Sequence, residues 1–350
     1  VKAHITHLHT RMPFDVANFQ EDENKSYARE WLAAAGQQGE AHSDFIQPLT
    51  APPIDSLPFD QLLRFWQHPV RAFFQQRLRV NFRAEEDDIP DDEPFTLEGL
   101  SRYQLNQQLL NTLIEEQDVS AMFRRFRAAG ELPYGAFGEL VWETQRLEMQ
   151  ALAERVMAER QQAQSMEIDL QCGGVNLTGW LQQVQPDGLL RWRPSLLSVS
   201  QGMQLWLEHL VYCASGGTGE SRLFVRKEGE WRFPALAPAE AQAYLNELVD
   251  GYLLGMSQPL LLLPESGGAW LKACYDAEKD VILMDEETQQ KARSKFLQTY
   301  EGNMVVSGEG ADIWYQRLWR SLEPAHYEEI IAQTQRYLLP LYRYHRSTQI

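Results

Sequence analysis

The chain has 350 residues and a net charge of −17, enough length to bury a sizeable core in one large domain or two smaller ones. That acidic average argues against a freestanding nucleic-acid binder, whose domain is normally basic, while leaving local basic patches open. Three cysteines, Cys172, Cys213 and Cys274, lie far apart with no C-x-x-C, so neither a disulfide framework nor a zinc site is indicated and a reducing cytoplasm fits best. The longest aliphatic run, Leu260 to Leu263, is far short of a membrane span.

In chain order, residues 1–56 read as an irregular lead-in from a preceding domain, with Phe14, Phe19, Trp31, Leu32 and Phe45 scattered among Pro and Gly signals. The chain starts at Val1 without an initiator Met and reads as part of something longer. His4, His7 and His9 have metal-ligand chemistry but no carboxylate or Cys partners nearby. Residues 57–350 read as one α/β domain. Leu57 to Phe82 predicts a helix, a break at His68-Pro69 and a second helix running into a strand, because Pro69 cannot continue the first helix but suits the first turn of the next. Glu85 to Glu93 (EEDDIPDDE) predicts a solvated loop. Helices follow at 97–116, at 119–129 with the Arg124-Arg125-Phe126-Arg127 cluster, and at 134–162.

Alternation of apolar and polar residues then predicts three strands near 166–172, 174–184 and 188–198, parted by Gly173-Gly174 and Pro186-Asp187-Gly188. Gln201 to Cys213 returns to helical spacing. Glu220 to Phe233 predicts a hairpin turning at Glu228-Gly229, with Arg222, Arg226, Lys227 and Arg232 on its arms. Helices are expected at 239–256, 288–300 and 325–338, and Leu260 to Leu263 is short enough for a buried strand. The tail from Arg336 to Ile350 mixes Arg336, Arg343 and Arg346 with Tyr337, Tyr342 and Tyr344, and reads as a docking surface rather than core.

A meander leading into a helix, with long helices on either side, resembles a restriction-endonuclease-type, PD-(D/E)XK nuclease core with a central mixed sheet. In such cores an Asp ends one strand and Asp-x-Lys or Glu-x-Lys lies on the next, the carboxylates holding the divalent ion that activates water. Here the corresponding positions are Gln182, Arg191 and Arg193, and two fixed cations would repel a metal ion.

The same residues resemble the nuclease domain of the RecB and AddB helicase-nucleases. LLRFWQHPVRAFF (Leu62 to Phe74) is similar to its opening segment, with His68-Pro69 for the usual Cys-Pro. EGLSRY (Glu98 to Tyr103) is similar to its Gly-x-x-x-His, with Tyr103 in the His place, and QLWLE (Gln204 to Glu208) to its Gln-x-x-x-Tyr helix, with Gln204 kept. Over essentially its whole length the chain is more similar still to the C-terminal part of the RecC family, the gamma subunits of exodeoxyribonuclease V. RMPFD (Arg11 to Asp15), HPVRAFFQ (His68 to Gln75), YGAFGE (Tyr134 to Glu139), QPDGLLRWRPSLLSV (Gln185 to Val199), QGMQLWLEHLVYCASGG (Gln201 to Gly217) and LPESGGAWLK (Leu263 to Lys272) carry that resemblance.

The resemblance implies a subunit of an ATP-dependent helicase-nuclease that processes broken DNA ends for recombinational repair. This subunit lacks working catalytic sites, holds RecB and RecD subunits together, guides the separated strands of a duplex end and takes part in Chi recognition. No catalytic residue, metal or cofactor is expected in this domain. Arg124, Arg125, Arg127, Arg222, Arg226, Lys227, Arg336, Arg343 and Arg346 are the candidate DNA or partner contacts. Two other readings stay open: a protein-interaction module without DNA contact, which the acidic average favours, and an active nuclease with ligands relocated to Asp169, Asp187 or Glu208.

Overall fold

The computed structural model describes residues 10–12, 15–19, 26–32, 48–82, 97, 99–304, 306–319 and 321–346. His4, His7, His9, Phe14, Phe45 and the acidic run at 85–93 lie outside the described residues. Two compact units divide the chain, Val1–Gln47 and Pro48–Ile350. The described part of the first contains two short 3-10 turns, Val16–Phe19 and Arg29–Trp31, with Thr10 Oγ1 donating to Asn18 Oδ1.

The second unit begins with a three-residue strand, β1 (Ser56–Pro58), that sequence reading missed. Helix α1 (Phe59–Gln67) ends where His68 adopts φ −162°, and α2 (Pro69–Ala72) starts with proline at its first position. His68 Nδ1 accepts from the Arg71 amide, so the residue that breaks one helix caps the next. A π-helical turn (Phe73–Arg77) follows, and from Leu78 to Phe82 the chain is irregular rather than the expected strand. Three helices, α3 (Gly99–Ile114), α4 (Ser120–Ala128) and α5 (Ala136–Glu159), form one layer.

Next come β2 (Gln164–Cys172), β3 (Val175–Gln185) and β4 (Gly188–Arg193), then α6 (Val199–Ala214), β5 (Glu220–Val225) and β6 (Glu230–Phe233). The neighbours β2–β3, β3–β4 and β5–β6 are antiparallel, whereas β4–β5 is parallel, as a crossover through α6 requires. β1 lies parallel to the first part of β3. The architecture is α/β with a mixed central sheet flanked by helices. Leu189, Leu223, Val225, Trp231 and Phe233 face one side and pack with α6, α1 and the C-terminal helices. Leu190, Trp192 and Phe224 face the other side and pack with α3, α4 and α5. Period-two alternation along β4 and β5 thus feeds two separate cores.

The C-terminal third is mainly helical: α7 (Pro238–Gly255), α8 (Pro264–Cys274), a small hairpin of β7 (Tyr275–Asp276) and β8 (Val281–Ile282), α9 (Glu286–Glu301), α10 (Ile313–Leu318), α11 (Pro324–Tyr337) and α12 (Leu339–Tyr344).

Several expectations need correction. The strand expected at 188–198 stops at Arg193, because Ser198 turns to cap α6, its hydroxyl accepting from the Gln201 amide. Leu260 to Leu263 is not a strand: it is irregular chain whose Leu262 carbonyl accepts from the buried Tyr315 hydroxyl. The hairpin turns one residue early, with Lys227 and Glu228 at φ 58° and 59°. A Cβ on Gly229 would approach Val225 Cγ2 to 2.7 Å, so that glycine serves close packing rather than the turn. As far as His345 the tail packs on the core rather than forming a separate surface: the Tyr344 ring stacks on Trp206 at 5.4 Å, His345 meets Trp231 at 4.8 Å, and Tyr337 is buried.

Candidate functional site

β3 carries one residue more than β2 can match. Pairing shifts between Met166↔Leu181 and Gln164↔Val184, and Gln183 sits at φ 55°, which marks a β-bulge. Since β4 pairs with β3 only from Val184 onward, the carbonyls of Gln182 and Gln183 have no partner in that ladder. The Arg191 side chain, on the α6 side of β4, supplies one. Its Nη2 donates to Gln182 O at 2.7 Å and its Nη1 to Gln183 O at 3.1 Å and Leu190 O at 3.2 Å. Its Nε donates to Glu208 Oε2 at 2.7 Å.

Glu208 lies on α6 with a side chain only 12% exposed. Burial pushes its carboxyl upward from the ordinary value; the charge and hydrogen bond of Arg191, and the charge of Arg193, pull it down. Arg191, Arg193, Gln204 and Glu208 line one cleft of about 120 Å³. The Gln182 side chain instead accepts from Ser165 Oγ at 2.5 Å, and it is the Gln182 carbonyl that Arg191 reaches. Tyr103 is on α3, its hydroxyl donating to Gln107 Oε1 of the same helix, and it does not line the cleft.

A divalent ion does not fit this donor set. The cationic guanidinium takes the cleft's one carboxylate, so little anionic oxygen is left for a metal. Asp169 is exposed on β2, and Asp187 accepts from Gln161 Nε2 at 2.6 Å in the β3–β4 turn. Among the described residues no group of three or more His, Cys, Asp or Glu is placed to hold a metal ion.

The other candidate contacts fall in three separate places. On α4, Arg124 is exposed, Arg125 donates to Gln108 Oε1 and Arg127 stands 3.8 Å from Glu139. On the hairpin, Arg222 bonds Glu220 at 2.7 Å and also Glu159, Arg226 bonds Glu148 at 3.3 Å, and Arg232 bonds Glu220 at 2.6 Å. Lys227 is exposed at the tip, with no ion pair among the described residues. In the tail, Arg336 bonds Glu247 and Arg343 bonds Asp280, each at 2.8 Å, while Arg346 donates through Nη1 to Arg343 O.

Sequence reading missed a second polar constellation. Glu309 accepts from the amides of Glu265 and Ser266, capping α8, while Glu265 accepts from the amides of Val199 and Ser200, capping α6. Burial pushes the Glu309 carboxyl up to about 7, against the bonds from Ser266. Beside it the His68 ring stacks on Tyr315 at 4.8 Å and its Nε2 lies 3.3 Å from Asp312 Oδ1. Burial acts upward on Asp312 too, but the bonds from His68 and from the Trp314 and Tyr315 amides outweigh it and hold that carboxyl below its ordinary value. A Pro-Glu-Ser helix start was the available signal for Glu265; nothing local marked Glu309.

Fold and cleft together define an α/β protein whose central polar cleft is filled by its own arginine–glutamate pair. The family model for the RecC C-terminal domain matches residues 54–275, and the chain belongs to that family. It is 69% identical over 347 residues to the RecBCD enzyme subunit RecC of Escherichia coli (strain K12), covering 99% of this chain and 31% of that protein. The RecBCD enzyme subunit RecC of Buchnera aphidicola subsp. Acyrthosiphon pisum is 32% identical over 280 residues, 80% of this chain and 26% of that protein. That of Mycolicibacterium smegmatis is 25% identical over 351 residues, 94% of this chain and 31% of that protein. The chain thus spans about a third or less of the curated relatives it matches. Among the described residues no helix is long and apolar enough to cross a membrane.

Proposed function

We propose that this chain is the catalytically silent, nuclease-like part of a RecC subunit, with residues 57–350 as the domain and 1–56 as its lead-in. It scaffolds a helicase-nuclease with RecB- and RecD-type subunits and guides the strands of a DNA end. The order α5–β2–β3–β4–α6–β5, two antiparallel pairs followed by a parallel crossover, supports a restriction-endonuclease-type core. The observation that carries the silent-site reading is Arg191: at the position of the family's acid it puts a guanidinium on Glu208 and on the two carbonyls of the bulge.

With Mg²⁺ or Mn²⁺ the isolated chain leaves linear duplex uncut, and Gln182→Ala in the full assembly leaves nuclease activity unchanged. Metal-dependent cleavage by the isolated chain, abolished by a substitution in the Arg191 cleft, sinks the reading.

A second reading, protein interaction without DNA contact, is favoured by one observation: Arg222, Arg226, Arg336 and Arg343 are all engaged in internal ion pairs. Forked-duplex binding across a salt series separates the two, because phosphate contacts weaken log-linearly with salt. Absence of any salt-dependent binding selects the second.

A further inference from the structure

Helix α5 is apolar on two sides. At 100° per residue, Gly138, Trp142, Gln145, Met149, Leu152 and Val156 fall on one stripe, and these residues are buried. Phe137, Leu140, Thr144, Leu147 and Ala151 fall on a second stripe, turned well away from the first, and all five are exposed. A helix lying on a domain needs one apolar stripe, not two. The second is substantial: Phe137 is 66% exposed, Leu140 65% and Leu147 54%, and Tyr134 just before the helix is 86% exposed. Apolar residues scattered singly over a surface are ordinary, whereas a contiguous row marks an interaction site.

The row runs on into a groove. Beyond Leu147 the small side chains of Ala151 and Ala158 open a cleft of about 470 Å³ between α5 and the tip of the β5–β6 hairpin, with Leu152, Val225 and Lys227 also on its walls. From Phe137 to Ala158 the surface extends about 30 Å at the helical rise, the length of a helix of some 20 residues.

Charge chooses the occupant. Along one edge stand Glu139, Glu143 and Glu154 against Arg146, which bonds Glu143 at 2.6 Å, and Arg127, which stands 3.8 Å from Glu139, so the edge keeps an excess of one carboxylate. Along the other, Arg226 pairs with Glu148 and Arg155 with Glu230, which leaves Lys227 at the far end. An acidic edge repels a phosphate backbone, so the exposed Tyr134 and Phe137 rings are poorly placed to stack on a nucleic-acid strand. An amphipathic protein helix meets both features, its apolar residues at i, i+3 or i+4 and i+7 filling the row and its basic flank facing the glutamates.

We propose that the outer face of α5 is the docking groove for an amphipathic helix of another protein chain, apolar on one stripe and basic along the flank that meets Glu139, Glu143 and Glu154. This rests on the proposed role as a subunit of an assembly with RecB- and RecD-type subunits.

The test uses the full-length subunit, assembled with those two partners. A photo-crosslinking residue at position 140 or 147 attaches to a peptide of another subunit at sites three or four residues apart, and the amides of 136–158 become protected from hydrogen exchange on assembly. Leu140→Glu with Leu147→Glu weakens assembly at least about 10-fold while the unfolding midpoint of the free subunit stays put, because both side chains are exposed. Glu143→Lys weakens it as well. Intact assembly with an unprotected α5 and no effect of either variant overturns the docking groove and leaves the subunit role standing. Crosslinks to DNA or to a second copy of this chain overturn it in favour of those occupants, and a wild-type subunit that does not assemble at all overturns both readings.

Discussion

Arg191 on β4 and Glu208 on α6 stand 2.7 Å apart, and the same guanidinium closes the bulge of β3 through the carbonyls of Gln182 and Gln183. One side chain therefore ties two strands and the crossover helix together. Removing Arg191 strands a buried carboxylate and the two bulge carbonyls together, whereas removing Glu208 leaves the guanidinium without its carboxylate but still on the carbonyls.

Arg191→Ala should destabilise the domain by about 3–5 kcal/mol, the usual cost of stranding one member of a buried ion pair. Arg191→Met with Glu208→Leu removes both charges and should recover part of that loss. Denaturant unfolding of the two single variants and the double measures the coupling; additive effects would disprove the pairing.

The Glu309 carboxyl has its pKa pushed up to about 7, against an ordinary value of 4.5, so the folded protein holds this proton more tightly than the unfolded chain. Stability from this group is therefore fully present below about 4.5 and is lost as pH rises to about 7. Glu309→Gln mimics the protonated form. It should match wild type near pH 4.5 and exceed it above pH 7 by at most about 3 kcal/mol. Melting curves of the two proteins against pH check the sign, which a carboxylate favoured by its helix cap would reverse.

His209 is buried, Nε2 donating to Pro234 O at 3.0 Å and Nδ1 accepting from Ser221 Oγ at 2.7 Å, and burial lowers its pKa to about 4. Below the unfolded value of 6.5 only the unfolded chain takes up the proton, so stability falls from pH 6.5 toward 4. His209→Gln, lacking that proton, should show a flatter acid limb than wild type, at some cost in stability at pH 7. A limb of equal slope counts against the assignment.

A Cβ on Gly202 would approach the Trp231 ring to 2.4 Å. Gly202→Ala should cost about 1–3 kcal/mol by overpacking despite alanine's better helix propensity, and should shift the tryptophan emission. A stabilised variant would show that α6 and β6 yield at this contact.

Truncation after Leu338 deletes Tyr342, Tyr344 and His345, which cover Trp206 and Trp231. The shortened chain should lose cooperative unfolding or become insoluble, and Tyr344→Ala alone should cost about 2 kcal/mol. Circular dichroism on heating decides it; an unchanged melt would return the tail to the surface.

Helix α8 shows why some elements stay hidden in a sequence. Its Gly267 and Gly268 disfavour a helix interior, yet a Cβ on them would come within 2.4 Å of Thr334 and of Val199 respectively, so both serve the close approach of α8 to α11 and α6. The tail misled in the opposite direction. Arginines alternating with tyrosines look exposed, but Arg336 and Arg343 find carboxylates on α7 and in the β7–β8 turn while the Tyr342 and Tyr344 rings pack inward.

Local patterning by itself determined the α/β class, the strands β2 to β4 and the long helices, since period-two and period-3.6 spacing reflect burial that each segment carries in its own residues. The resemblance to a nuclease family, not the patterning, singled out Gln182, Arg191 and Arg193, and residue identity alone fixed their charge. Only the tertiary structure decided where those groups go. The bulge that turns the Gln182 side chain to Ser165 and its carbonyl to Arg191, the Glu208 partner from α6 and the Glu309 cap on α8 depend on register and on side chains tens of residues apart, and such contacts leave no local period to read.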